Sequence, residues 1–237
     1  MLLDGAHLVS DAIAAGVAIE LAAITPASRE DPDVQALVSA LQRNDVETIT
    51  VSASVMDAVS PVKTPSGIVA LAERPAVDLA KVYASGAPLV VCAVDVQDPG
   101  NLGAIVRVCE AAGATGFVAT GDSANPFSWK ALRGAMGGTF RLPIAARGTV
   151  PDVIAAAHDH DVRIVAAVPR SGTPLPKMDF RQPIAIVIGG EGAGVSTAIM
   201  AAADASLTIP MRAPVESLNV AVAAALVLYE AARQIDR

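Results

Sequence analysis

Apolar residues recur along this chain in two alternating periods. Leu8, Val9 and Ile13 share one helical face in residues 5–16, a stretch that a glycine closes, and residues 18–24 then read as a strand. Residues 34–42 form a second amphipathic helix, 48–51 a strand, and 68–71 another strand after the turn Thr64-Pro65-Ser66-Gly67. Pro75, Gly86 and Pro88 punctuate a mixed stretch, with a connecting helix over 77–83. Beyond it the pattern changes. Residues 89–94 are a continuous apolar run suited to a parallel strand buried on both faces. A helix over 102–112 follows, ended by Gly113, and then a strand at 117–119. Further strands at 163–168, 184–188 and 207–209 alternate with helices near 151–158, 195–203 and 217–234. Such alternation predicts an α/β fold with a mostly parallel sheet, preceded by a smaller α/β unit. The boundaries fall at 1–75, a linker at 76–87, and 88–237.

Composition fits this picture. Of 237 residues, 53% are hydrophobic and 17% charged, ample for a buried core. Cys92 and Cys109 sit in apolar runs, with neither a disulfide framework nor metal-ligand spacing, which points to a reduced, cytoplasmic setting. The first residues lack the basic region of a signal peptide, and stretches free of charge such as 217–229 are too short to span a bilayer.

A net charge of -7 argues against nucleic acid at face value. The distribution of charge weakens that objection. Residues 1–85 carry five Lys/Arg against eleven Asp/Glu, whereas residues 86–237 carry twelve against thirteen. The window 123–151 holds Lys130, Arg133, Arg141 and Arg147 without one acid, and 162–178 holds Arg163, Arg170 and Lys177. Lys130, Arg133 and Arg141 are candidate contacts to a polyanion such as nucleic acid, beside the plainer reading of solvated surface charge.

Two separated motifs carry the chemistry. The first is Asp98-Pro99-Gly100-Asn101-Leu102-Gly103-Ala104-Ile105-Val106-Arg107. It opens a helix directly after a strand, so free N–H groups face its entrance, and Asn101 suits the N-cap. Arg107 falls nearly two turns later on an otherwise apolar segment, where an ion pair and a catalytic cation are both open readings. The second motif pairs Gly189-Gly190-Glu191-Gly192-Ala193-Gly194 with Ile209-Pro210-Met211 and Glu216-Ser217-Leu218-Asn219-Val220. Four glycines in six positions let a backbone pass close to a ligand, or simply make a tight turn. The spacing is G-x-G-x-G, not the G-x-G-x-x-G of dinucleotide binding, which disfavours a dehydrogenase.

Taken together these motifs resemble those of the SpoU (TrmH-type) RNA ribose 2′-O-methyltransferases of the SPOUT superfamily. Residues 88–237 resemble the catalytic domain. Residues 1–75, with Leu3-Asp4-Gly5 and Thr64-Pro65-Ser66-Gly67-Ile68, look like the N-terminal substrate domain. The chain begins near what is usually the first strand, without the basic helix that often precedes it, and Ala135 stands where many relatives have serine. The resemblance implies a C-terminal segment threaded into a trefoil knot and a homodimer formed through that domain. It also implies S-adenosylmethionine as cofactor, held by Gly189, Gly190, Ile209, Met211, Leu218 and Ala166. Arg107, Asn101, Glu191, Ser217 and Asn219 would be the catalytic set, and the substrate a ribose 2′-hydroxyl of rRNA or, second, tRNA.

A guanidinium is always protonated, so Arg107 is assigned to stabilising the developing oxyanion and not to acting as a base. A protein that binds RNA without catalysis would have no need for the whole set. His158-Asp159-His160 directs its histidines to different helical faces, and no metal is expected. Phe127 and Trp129 would either stack on a base or anchor a loop.

Overall fold

The computed structural model describes residues 1–75, 77–146, 148–192 and 194–235; Arg147 of the basic window and Ala193 of the glycine loop lie outside the described residues. The first unit runs β1 (Leu2–Asp4), α1 (Ala6–Ala14), β2 (Ile19–Ile24), α2 (Pro32–Arg43), β3 (Glu47–Thr50), α3 (Ala53–Val59) and β4 (Ile68–Ala72). Its four strands order β1-β4-β2-β3, with β2 and β3 parallel and the other pairs antiparallel. Asp31 caps α2 by accepting from Asp33 N–H, Pro32 fills the first helical position, and Val34, Leu37 and Leu41 bury one stripe. Sequence periodicity does not anticipate β1 or α3.

After α4 (Leu79–Tyr83) the second unit runs β5 (Leu89–Val94), α5 (Pro99–Ala111), β6 (Gly116–Thr120), α6 (Trp129–Ala135), α7 (Gly138–Arg141), β7 (Ile144–Ala146), α8 (Val150–Asp159) and β8 (Arg163–Ala167). It continues through β9 (Thr173–Pro174), β10 (Ile184–Gly189), α9 (Thr197–Ala202), β11 (Ala205–Thr208) and α10 (Val220–Ile235). These strands form a parallel sheet in the order β7-β6-β5-β10-β8-β11-β9. β5 is buried throughout. Its alternate residues divide between two cores. Val91 and Ala93 join Leu102, Ile105 and Val227 on one side of the sheet. Val90, Cys92 and Val94 join Tyr83, Val153 and Ile199 on the other. β5 opens this unit yet lies inside it, with β6 on one side and β10 on the other, so the strand order reverses beside it. In parallel α/β sheets, ligands bind in the crevice beyond the carboxyl ends of strands at such a reversal.

α5 and α6 cross closely. A side chain on Gly103 would put its Cβ 2.3 Å from Ala131 O, so the crossing needs glycine there. α6 and α7 also reach the first unit, because Leu132 and Phe140 belong to that unit's core. Arg141 adds an ionic tie between the units, pairing with Glu110 on α5 and with Asp11 on α1 at 3.8 Å.

The last helix starts at Val220, three residues later than its periodicity suggests. Its buried stripe is Val220, Ala224, Val227, Leu228 and Ala231. The C-terminal segment that the resemblance implies is buried has one open face: Val227 is fully buried, whereas Val222 and Leu226 are 49% and 42% exposed, and Tyr229 beside them is 72% exposed.

Candidate active site

Three segments remote in sequence meet at the switch point. β5 ends at Val94, whose carbonyl accepts from Gly190 N–H at 2.8 Å, so the two loops leave the sheet side by side. The first loop enters α5 through Asp98, whose Oδ1 accepts from Asn101 N–H at 2.7 Å, with Pro99 in the first helical position. Asp98 is thus the N-cap and Asn101 the third helical residue, which corrects the capping role that sequence suggests for Asn101. The physical reason is Pro99: it fits the first turn and moves the helix start forward.

Freed from capping, the Asn101 side chain points across the crevice. Its Nδ2 donates to Glu191 Oε1, and its Oδ1 accepts from Asn219 Nδ2 at 3.1 Å. Asn219 Oδ1 in turn accepts from Ala221 N–H at 2.9 Å and Val222 N–H at 3.3 Å, capping α10. A directed chain therefore runs from the N-terminus of α10 through Asn219 and Asn101 to the Glu191 carboxylate. Each amide has its oxygen committed, which fixes the orientation of its NH2. Ser217 lies two residues ahead of Asn219, exposed, in the non-helical segment before α10.

The glycine loop has a reason of its own. A Cβ on Gly190 would fall 1.9 Å from Asp95 O, and one on Gly189 2.2 Å from the Gly194 carbonyl carbon. Gly190 and Gly194 also pair as an isolated antiparallel bridge. What Gly190 lets pass is therefore the β5 loop. Gly192 has nothing within 4 Å of a built Cβ and faces open space.

Ile209, Met211 and Leu218 are half-buried, offering apolar surface near the strand ends. Ala166 does not fit the cofactor role that the resemblance implies. It is fully buried in mid-strand, in register with Val187 of β10 and Ser206 of β11, and presents no surface to a ligand.

Arg107 is exposed on α5 and has no ion-pair or hydrogen-bond partner among the described residues. Glu110, three positions on, is the neighbour expected to capture it, but that carboxylate is taken by Arg141. The ion-pair reading of Arg107 thus lacks its partner.

The basic window divides. Lys130 and Arg133 are exposed, with Lys130 Nζ 5.5 Å from the Trp129 ring centroid. Arg141 is held by Glu110 and Asp11, carboxylates outside the window, which corrects its reading as an RNA contact and makes it a tie between the two units. Phe127 is 6% exposed and anchors its loop. His160 Nδ1 lies 2.9 Å from Ala156 O on its own helix. Burial pushes the Cys92 thiol up to about 11 and raises Cys109 as well, so neither supplies a thiolate nucleophile near neutral pH. Among the described residues, no helix is long and apolar enough to cross a membrane.

The carboxyl ends of this parallel sheet bring Asn101, Glu191 and Asn219 together beside a glycine loop, in the crevice where α/β enzymes bind their ligands. The SpoU rRNA Methylase family model matches residues 88–229, and the MRM3-like substrate binding domain matches residues 1–70. An uncharacterized tRNA/rRNA methyltransferase of Synechocystis is 32% identical over 237 residues, covering 99% of this chain and 84% of its own. The 23S rRNA (guanosine(2553)-2′-O)-methyltransferase RlmP of Bacillus subtilis is 30% identical over 228 residues, covering 96% of this chain and 86% of its own. The SpoU methyltransferase AviRb of Streptomyces viridochromogenes, solved with AdoMet, superposes with a TM-score of 0.91 at 27% identity. That match covers 99% of this chain and 89% of AviRb. The chain belongs to the SpoU rRNA methylase family, as an S-adenosylmethionine-dependent enzyme.

Proposed function

We propose that this protein methylates a ribose 2′-hydroxyl of 23S ribosomal RNA, with residues 1–75 engaging substrate and 88–237 carrying the chemistry. The convergence of Asn101, Glu191 and Asn219 at the strand-order reversal carries this reading. S-adenosylmethionine supplies an electrophilic methyl on a sulfonium. The residues present fit it. The open flank of the glycine loop at Gly192 and the half-buried Ile209, Met211 and Leu218 suit an adenosyl group, and Glu191 offers negative charge for a cation. Backbone groups of Gly189 and Gly190 complete the cradle.

The amide chain holds Glu191 and Asn101 in fixed orientation, and Ser217, exposed two residues ahead of Asn219, is assigned to the same catalytic set. Arg107 stabilises negative charge as the ribose oxygen loses its proton to water or an RNA phosphate, while that oxygen gains the methyl group. Lys130 and Arg133 contact the RNA backbone. The relatives' names favour rRNA over tRNA. The reaction belongs in the cytoplasm, a reading supported by two buried, unpaired cysteines.

The insertion of β10 between β5 and β8, with β11 returning outside β8, supports a knotted C-terminal segment. The stripe Val222, Leu226 and Tyr229 on α10 supports a homodimer closed through this domain. Calorimetry with S-adenosylmethionine and with NAD tests the reading. Binding of the first alone is expected; binding of NAD alone, or of neither, would overturn it.

A further inference from the structure

A cavity of about 240 Å³ opens at the carboxyl ends of β6 and β7, across β5 from β10 and its glycine loop. Its walls are braced. Thr120 Oγ1 donates to Gly148 O, joining the loops after the two strands. Ser123 Oγ donates to Ala93 O at 3.1 Å and accepts from Val96 N–H at 3.1 Å. Asp122 N–H donates to Asp95 Oδ1 at 2.8 Å, and Ala124 N–H to Val96 O at 2.9 Å. The cavity wall is therefore bonded to the segment 93–96 that leads into Asp98 and Asn101, and it opens at the same carboxyl edge of the sheet as the glycine loop.

Arg74, from the segment after β4, closes one side. It is exposed, and its guanidinium lies over the Phe127 ring at 4.4 Å from the centroid. The aromatic backing holds the guanidinium plane as a platform. Asn125 Oδ1 accepts from Phe127 N–H at 3.0 Å, which leaves the Asn125 amide NH2 as an oriented donor on the cavity lining. A planar cation backed by an aromatic ring, next to an edge-reading amide, is the chemistry by which proteins hold single-stranded bases. The volume suits one heterocycle and its ribose.

We propose that this cavity holds the base of a nucleotide flanking the methylated one, stacked on Arg74 and read along its edge by Asn125. That the base flanks the methylated nucleotide rests on the methyl-transfer reading; base binding does not. The test is a titration of ¹⁵N-labelled protein, saturated with S-adenosylmethionine, with AMP, GMP, CMP and UMP, and separately with ribose 5-phosphate. At least one mononucleotide should shift the amide signals of Gly121, Asn125 and Gly148, and ribose 5-phosphate should leave them in place. Arg74→Ala and Arg74→Lys should both weaken that binding about tenfold, the loss of one stacking contact. Absence of those shifts with all four nucleotides, or shifts confined to residues 189–194, would overturn the proposal. So would Arg74→Lys binding as tightly as the unaltered protein, since that marks a phosphate site. Failure of S-adenosylmethionine to bind in the same samples sinks the methyl-transfer reading alone, because the nucleotide shifts are read independently of it.

Discussion

Arg107 owes its availability to a neighbour engaged elsewhere. Glu110 sits one turn along α5, and its two oxygens go to Arg141, so the cation nearest the Asn101 junction in sequence stays exposed without a described partner. A guanidinium held this way can respond to charge that exists only while the ribose oxygen is losing its proton. Arg107→Ala should therefore lower turnover about 10²–10³-fold, the cost of removing one oxyanion donor, with S-adenosylmethionine affinity unchanged. Arg107→Lys should remain poor, because an ammonium does not reproduce the planar fork. Single-turnover rates alongside calorimetric affinities check both. A folded alanine variant working at full rate would make this arginine structural.

At the scale of elements, the glycine loop and the β5 loop are packed backbone against backbone. Gly190→Val pushes a side chain into Asp95 O and should lose stability before it reports on any ligand. Gly192→Val points a side chain into open space, so it should leave the melting temperature within a few degrees and weaken S-adenosylmethionine. Differential scanning fluorimetry with calorimetry separates the two effects. A Gly192→Val protein of unchanged affinity would remove this loop from the cofactor site.

The same elements show what sequence can reveal. β5 and β10 are legible because a strand buried on both faces is written as an unbroken apolar run. β1, β7 and β9 span three, three and two residues, and only pairing with partners far along the chain makes them strands. α6 and α7 escape notice because Met136 and Gly137, both at positive φ, break the period between them. In α10, alanine is so frequent that both faces read as apolar, so the pattern alone does not single out the buried stripe of Val220, Ala224, Val227, Leu228 and Ala231. The members of the Asn101, Glu191 and Asn219 cluster are legible through a family resemblance. Their hydrogen-bond order is not, because it depends on Pro99 shifting the helix start. Ala166 and Arg141 mislead for a related reason: strand depth and a partner on another domain leave no local mark.

For the whole molecule, the reversal of strand order beside β5 explains why loops more than a hundred residues apart form one site. The docking of α6 and α7 into the first unit's core holds the acidic domain against the catalytic one. The exposed stripe Val222, Leu226 and Tyr229 lies on the helix whose N-terminus Asn219 caps, so a partner seated there would stand along the same helix as the amide chain. Leu226→Glu should convert a dimer to a monomer in sedimentation velocity and cut methyl transfer at least tenfold; a variant that stays dimeric places the interface elsewhere.

The destination of the methyl group is the most direct test of this enzyme's chemistry. Protein incubated with methyl-labelled S-adenosylmethionine and protein-free 23S rRNA should give, after digestion to nucleosides and mass spectrometry, label in a 2′-O-methylribose nucleoside. Label found on a base, or no transfer by protein that binds the cofactor, would contradict ribose methylation.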